Sequence, residues 1–242
     1  HYESLENNRK ILKYFENKNS LKKKISQNTY YIAPSNWIKK KALKQKINKK
    51  KICKIYNTFS NKSNFIISNT KLKNFNKIKK FNILLFGSAS PFYDKRKNFE
   101  EVLKSLNVLK KNIFNLKIVV FGKYESNFYN KDVFQVGYLS QSELKYLYSI
   151  SKVLLLTSRQ DNLPNIILEA LSNGLPVCSL GEGGQNEIII NNYNGFKLSN
   201  LNSKSSIKKI NTCIKDNKRF RYNSKNYANN KFDYKIITKQ HL

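Results

Sequence analysis

Between residues 81 and 198, short apolar runs alternate with segments of helical period, and this alternation restricts the fold more than any other feature of the chain. FNILLFG (81–87) and LKIVVFG (116–122) each close on glycine; VFQVGY (133–138), VLLLTS (153–158), PVCSL (176–180) and GFKL (195–198) follow. VLLLTS is apolar without interruption, as a strand covered on both faces must be. FEEVLKSLNVLKK (99–111) is amphipathic, and Ser140 with Glu143 forms a capping box for a helix ending near Ile150. PNIILEALSN (164–173) has Pro164 for its first turn and Gly174 for a left-handed stop. GGQNEIII (183–190) opens a short helix, and helices over about 203–217 and 219–240 close the chain. Strands alternating with helices of this length predict an α/β fold with a doubly wound parallel sheet. Ligands of such sheets sit beyond the carboxyl ends of the strands.

The first third is less regular. Residues 2–25 read as a polar helix with a loose stripe of Leu5, Ile11, Leu12 and Phe15. TYYIAPS (29–35) reads as a strand and turn, NWIKKKALKQK (36–46) as a helix capped by Ser35 or Asn36, and KICKIYN (51–57) as a strand. Residues 58–80 are rich in Asn, Lys and Ser with poor periodicity, which marks a linker. A partial first domain over 1–75 and a second domain over 76–242 are expected.

Composition removes several classes of function. The two histidines, His1 and His241, stand at the ends, which excludes Ser-His-Asp or Cys-His catalysis and a His-based metal site in the folded body. Cys53, Cys178 and Cys213 are odd in number and form no CxxC pair, fitting free thiols in a reducing compartment. No apolar run approaches the ~18 residues of a membrane span, and the start lacks the apolar core of a signal peptide. A soluble, cytoplasmic protein is expected. The formal charge of +31 invites a nucleic-acid reading, but five of the 46 basic residues are Arg, the side chain suited to bidentate phosphate and guanine contacts. The abundance of Lys, Asn, Ile, Tyr and Phe, which share A/T-rich codons, offers a genomic origin for the bias. Residues 1–80 carry 22 basic and 3 acidic side chains, against 24 and 12 in 81–242. Solvated faces plus codon bias are the leading explanation, followed by attraction to an anionic membrane surface, with nucleic acid last.

Three of the loops that follow strands carry candidate chemistry. In GSASPFYDKRKN (87–98), Gly87 and Ser88 lead to Lys95, Arg96 and Lys97 before a helix, a setting for a phosphate or a solvated basic turn. Its spacing is not that of a Walker A loop. In SRQDNLPNIILEA (158–170), Asp161 and Glu169 lie eight residues apart. Both can face one crevice, with the amides of Asn162, Leu163, Pro164 and Asn165 (Pro164 lacking its own N–H) at the positive end of the helix dipole between them. The competing reading makes Asp161 or Asn162 a cap and Glu169 a surface residue. GEGGQNEI (181–188) allows close backbone approach to a ligand, or a turn.

Together these stretches resemble a known family. Asp161-x7-Glu169, Ala170, Gly174-Leu175-Pro176-Val177, Gly183-Gly184-Gln185-Asn186-Glu187 and Asn194-Gly195 follow the order of the donor-binding half of retaining glycosyltransferases of the family 4 (group 1) type. That family has the GT-B fold, so the resemblance implies a Rossmann-like C-terminal domain preceded by a remnant of the N-terminal, acceptor-binding domain. FGSASPFYDKRKNFEEVLKSL resembles the family's first strand, basic loop and helix of this domain, and YIAPSNWIKKKAL…KICKIYNTFS resembles the end of the N-terminal domain. The likeness covers roughly 29–240.

By this resemblance, Arg96 and Lys97 neutralise the departing diphosphate of a nucleotide-sugar, Asp161 and the 162–165 backbone hold the sugar, and Glu169 binds the ribose. The implied reaction is sugar transfer with retention to a saccharide or lipid-linked acceptor, in bacterial surface polysaccharide biosynthesis. No cofactor and no metal are implied, and the Lys-rich front fits peripheral contact with an anionic membrane at the inner face of the plasma membrane. Three positions depart from the family pattern: Asp161 for Glu, Asn98 for the Gly after the lysine, and Ser88 for an Arg. Most of the first GT-B domain is missing and Met is absent even at position 1, so the chain is expected to be the C-terminal piece of a longer, two-domain transferase. A sugar-nucleotide epimerase or a phosphorylase shares the architecture, and a basic nucleic-acid-binding module is the rival from another class.

Overall fold

The computed structural model describes residues 29–59 and 67–239; the helix expected over 2–25 and both histidines lie outside them. The chain divides into two compact units, residues 1–55 and 56–242. In the first, β1 (Tyr31–Ala33) pairs in parallel with β2 (Ile52–Lys54), in the register Tyr31↔Ile52 to Ala33↔Lys54. Parallel neighbours need a crossover, supplied by α1 (Asn36–Lys44) and a single 3₁₀ turn over Lys49–Lys51. Ser35 is the cap of α1: its hydroxyl accepts from the Ile38 amide at 3.1 Å.

In the second unit, α2 (Asn69–Ile78) leads to β3 (Asn82–Gly87), α3 (Phe99–Asn112), β4 (Leu116–Phe121), β5 (Val133–Gly137), α4 (Gln141–Ile150) and β6 (Val153–Leu156). The chain continues through β7 (Gln160–Asp161), α5 (Asn165–Ser172), β8 (Val177–Ser179), β9 (Glu182–Gly183), α6 (Gln185–Ile188) and β10 (Gly195–Lys197). Helices α7 (Lys204–Lys215), α8 (Asn217–Phe232) and α9 (Tyr234–Lys239) follow. Six strands form one sheet in the order β10-β8-β6-β3-β4-β5, every neighbouring pair parallel. This is the α/β, doubly wound architecture that the alternation predicts.

Successive strand side chains point to opposite faces, and both faces are apolar. Ile83, Leu85, Val119, Leu154 and Leu156 pack on one side with Leu147, Tyr148, Ile167, Leu168 and Leu171 of α4 and α5. Leu84, Phe86, Ile118, Val120, Val153 and Leu155 pack on the other with Val102, Leu106 and Leu109 of α3 and Ile210 of α7. Two cysteines expected as unrelated thiols meet in this second layer: Cys178 and Cys213 are buried with sulfurs 4.0 Å apart, and neither is in a disulfide.

Sheet order fixes where a ligand can sit. From β3 the chain moves outward through β4 to β5, then returns to the centre at β6 and moves outward the other way through β8 to β10. The order therefore reverses between the adjacent strands β3 and β6. The loops leaving their carboxyl ends diverge, and a crevice opens between them.

Two expectations are corrected. Residues 69–78, read as linker, form α2, capped by Ser68 and buried through Phe75 and Ile78. Its lysines and asparagines mask an apolar pair three residues apart, and that pair alone faces the core. The final helix expected over 219–240 breaks at Asp233, whose carboxylate caps the next helix at the Lys235 amide, 2.9 Å away. Asp233 is freed to bridge Phe59, a buried residue in the stretch assigned to the linker. Among the described residues no helix is long and apolar enough to cross a membrane.

The buried position of Phe75 gives a test. Phe75→Ala is expected to cost about 3–5 kcal/mol in urea unfolding, whereas the same change in a solvated linker shifts stability by less than ~0.5 kcal/mol.

Candidate functional site

The loop after β3 is held to the carboxyl end of β6 by one side chain. Thr157 donates its hydroxyl proton towards the carbonyls of Lys97, at 2.8 Å, and Asn98, at 2.9 Å. Asn98 answers through its side-chain amide, which donates to the Thr157 carbonyl at 3.3 Å. Asn98 sits at φ 56°, in the left-handed region. This accounts for Asn where the resembled family has glycine, because Asn tolerates that region better than most side chains.

Held this way, Lys97 reaches across the reversal of strand order. Its ammonium donates to an Asp161 carboxylate oxygen at 2.6 Å, with the two side chains about a quarter and a fifth exposed. Asp161 was expected in a loop, but its backbone is fixed in β7, which pairs in parallel with β9 through Gln160↔Glu182 and Asp161↔Gly183. The Gly184 amide donates to the Asp161 carbonyl at 3.0 Å. Gly183 has φ 143°, and a Cβ there would overlap the Asp161 carbonyl, so the β7–β9 pairing requires glycine at that position. The glycines of GEGG thus serve the backbone that carries Asp161.

Arg96, assigned to the same anion, points elsewhere. Its guanidinium makes a two-pronged pair with Asp94, both distances 2.9 Å, and is 85% exposed. The Asp94 carboxyl is held below its usual range chiefly by the hydrogen bond from Arg96. The structure brings Lys97 to Asp161 and leaves Arg96 at the rim.

Gly87 ends β3 beneath the Phe121 ring, which occupies the place a Cβ would need. Ser88 donates its amide to the Phe121 carbonyl at 3.4 Å. Several polar atoms on these loops are buried without a hydrogen-bond partner: the hydroxyls of Ser88 and Ser158, and the side-chain carbonyls of Gln185 and Asn186. Orphaned polar atoms are uncommon in folded interiors and mark places where a partner is missing. These four lie on the loops after β3 and β6 and at the start of α6.

Helix α5 begins at Asn165, with Pro164 in the capping position and no acidic residue in its first turn. Leu163 and Pro164 are buried, so they contribute backbone rather than side-chain chemistry, whereas Asn162 and Asn165 are more open. Asn165 is held by Asn57, whose amide donates to its side-chain carbonyl at 2.9 Å. One turn along, Glu169 lines a pocket of about 190 Å³ together with Tyr148, Asn165, Gln141, Lys145 and Phe59. The Tyr148 hydroxyl donates to the Glu169 carboxylate at 3.2 Å. A larger groove of about 630 Å³, lined by Tyr93, Asp94, Glu125, Phe128 and Arg159, includes neither Lys97 nor Asp161. Among the described residues no three His, Cys, Asp or Glu side chains gather as a metal-binding group.

Tyr148 is held from behind. Arg221 of α8 donates to the carbonyls of Tyr148, Ser149 and Ser151 at 2.9, 2.8 and 2.5 Å, satisfying the open end of α4. Sequence reasoning missed Tyr148, Thr157 and Asn57. For Tyr148 a signal existed: an inward tyrosine on an amphipathic helix needs a partner for its hydroxyl.

Residues 68–231 match the family described as Glycosyl transferases group 1, and the chain belongs to that family. An uncharacterized glycosyltransferase of Haemophilus influenzae is 28% identical over 127 residues, which are 49% of this chain and 36% of that protein. Among solved structures, Alr3699/HepE of Anabaena in complex with UDP-glucose is 18% identical with a TM-score of 0.70, over 88% of this chain and 62% of that one. A glycosyltransferase from Rickettsia africae is 19% identical with a TM-score of 0.74, over 92% and 65%. The fold is that of GT-B glycosyltransferases, and the chain spans less than two thirds of the length of these relatives.

Burial first, then the charge of Glu169 and the hydrogen bond to it, pushes the Tyr148 phenol well above the ordinary tyrosine value. A raised folded value means that stability is complete below about pH 10, where tyrosine ionises in the unfolded chain, and falls as pH rises beyond it. Tyr148→Phe is expected to flatten that alkaline loss above about pH 10, by at most about 1.4 kcal/mol per pH unit, measured by urea unfolding across pH. A residual alkaline slope remains from Tyr227, pushed up to about 12 by burial.

Proposed function

We propose that this chain is the donor-binding part of a retaining glycosyltransferase of family 4. It would move a sugar from a nucleotide-sugar to a saccharide or lipid-linked acceptor in bacterial surface polysaccharide assembly. One observation carries the reading: Lys97 and Asp161, delivered by the loops after β3 and β6, meet across the reversal of strand order. A cation and a carboxylate at that place suit a diphosphate and a sugar, respectively. Glu169, eight residues on, faces a separate pocket suited to the nucleoside.

In this reading the Lys97 ammonium stabilises the charge that develops on the departing diphosphate. That is electrostatic catalysis, which requires a positioned cation and no protein acid. Arg96 joins by releasing Asp94, a small cost for an exposed pair. Asp161 and the 162–165 backbone hold the sugar hydroxyls, and the Glu169 carboxylate takes the ribose hydroxyls. The chemistry asks for no metal. UDP-sugars are the first donors to try, because Alr3699/HepE has been solved with UDP and with UDP-glucose.

Residues 1–75 are assigned to the remnant of the acceptor domain and 76–242 to the donor domain. Residues 29–55 carry nine lysines and no acidic side chain, which supports peripheral contact with an anionic membrane surface from the cytoplasmic side.

Calorimetric titration with UDP, GDP and ADP tests the reading on the wild-type chain and on Glu169→Ala. One nucleotide is expected to bind, and the variant to weaken it by about tenfold to a hundredfold, the loss of charge-assisted hydrogen bonds. Binding that survives unchanged in the variant contradicts the role of Glu169, and binding of none of the three contradicts the reading.

A further inference from the structure

The Lys97–Asp161 pair has a consequence for which ligand the crevice prefers. The ammonium assigned to the diphosphate is already neutralised, by the carboxylate assigned to the sugar, at 2.6 Å. The carboxylate cannot drift far from this position. Its backbone is fixed in β7 by the pairing with Gly183 and by the Gly184 amide. The lysine backbone is fixed as well, by the Thr157 hydroxyl on the Lys97 carbonyl.

An anion entering beside Lys97 therefore meets a nearby carboxylate whose hydrogen-bonded partner is the cation being taken from it. Like charges a few ångströms apart at a partly exposed pair repel, with the repulsion weakened by solvent. That carboxylate needs new donors. A nucleotide-sugar brings them as sugar hydroxyls, whereas a bare nucleoside diphosphate brings more phosphate charge and none of these donors.

We propose that the Lys97–Asp161 pair is a charge latch by which the site selects the intact nucleotide-sugar over the nucleoside diphosphate that lacks the sugar. With the crevice empty, the pair is closed. A sugar donor opens it at both ends, diphosphate on Lys97 and hydroxyls on Asp161. A nucleoside diphosphate opens it at one end, leaves the carboxylate without its hydrogen-bonded partner beside added negative charge, and binds more weakly than the sugar donor. Asp161 is thus a specificity-determining residue whose effect has opposite sign for the two ligands. This inference rests on the donor-binding reading above and concerns the same crevice.

The test measures Kd for UDP and for UDP-glucose on the full chain, with the GDP and ADP pairs in parallel, for wild type, Asp161→Asn and Asp161→Glu. Thermal unfolding confirms that each variant is folded. In Asp161→Asn the latch is gone: nucleoside diphosphate is expected to bind about fivefold tighter than in wild type, and the sugar donor no tighter or weaker. Asp161→Glu keeps the charge and is expected to keep the wild-type preference, which separates the effect of charge from that of a disturbed β7. If Asp161→Asn moves both ligands in the same direction by the same factor, or moves neither, Asp161 has a structural role and the latch is overturned while the donor-binding reading stands. If wild type binds none of the three ligand pairs, the donor-binding reading fails and the latch fails with it.

Discussion

The parallel pairing of β3 with β6 is the constraint on which the rest of this chain depends. Those two strands supply Leu84, Leu85, Leu154 and Leu155 to the centre of the sheet, where both faces are covered and apolar burial is greatest. Because the chain winds outward in opposite directions from this pair, the two loops leaving its carboxyl end have no neighbouring strand between them. A lysine from one loop and an aspartate from the other close the gap. Hydrophobic burial thus fixes the position of the charges.

Two layers of backbone hydrogen bonding turn that general location into a defined site. Thr157 and Asn98 tie the basic loop to the end of β6, and the short β7–β9 ladder ties the Asp161 segment to the glycine-rich segment. Glu169 is aligned differently, by a tyrosine reaching it from α4, whose end is closed by Arg221 from α8. The residues around the crevice therefore belong to elements scattered along most of the second unit. Helix α8, which contributes nothing to the sheet, acts on the site through Arg221.

Most of the fold was legible because the strands are buried on both faces, so their apolar runs stand out against any background. The capping box at Ser140 and the glycine stop at Gly174 were legible because each carries its mechanism in one or two residues. Helix α2 escaped notice because its buried face consists of Phe75 and Ile78 within a stretch dominated by Lys and Asn. The break at Asp233 was hidden by helix-prone residues on either side, and tertiary pairing with Phe59 decided it. At the site, the spacing of Asp161 and Glu169 was visible in one dimension. That Lys97 rather than Arg96 meets Asp161 was not, because the choice depends on Asp94, two residues before the arginine, capturing its guanidinium. Tyr148 and Thr157 act through hydroxyls whose partners lie 21 and about 60 residues away, a relation no local pattern records.

The geometry at the reversal of strand order offers a local candidate site at the Lys97–Asp161 pair, while the charge of +31 points to a broad electrostatic surface. Amide-resolved NMR of the chain, titrated with UDP-glucose at moderate salt, separates the two directly. The account predicts that the perturbed amides cluster at Ser88, Lys97, Asn162, Asn165, Gly183 and Gly184, around the Lys97–Asp161 pair. Perturbations confined to the lysine tracts at 39–51 and 71–80, or spread evenly over basic surface, would contradict it.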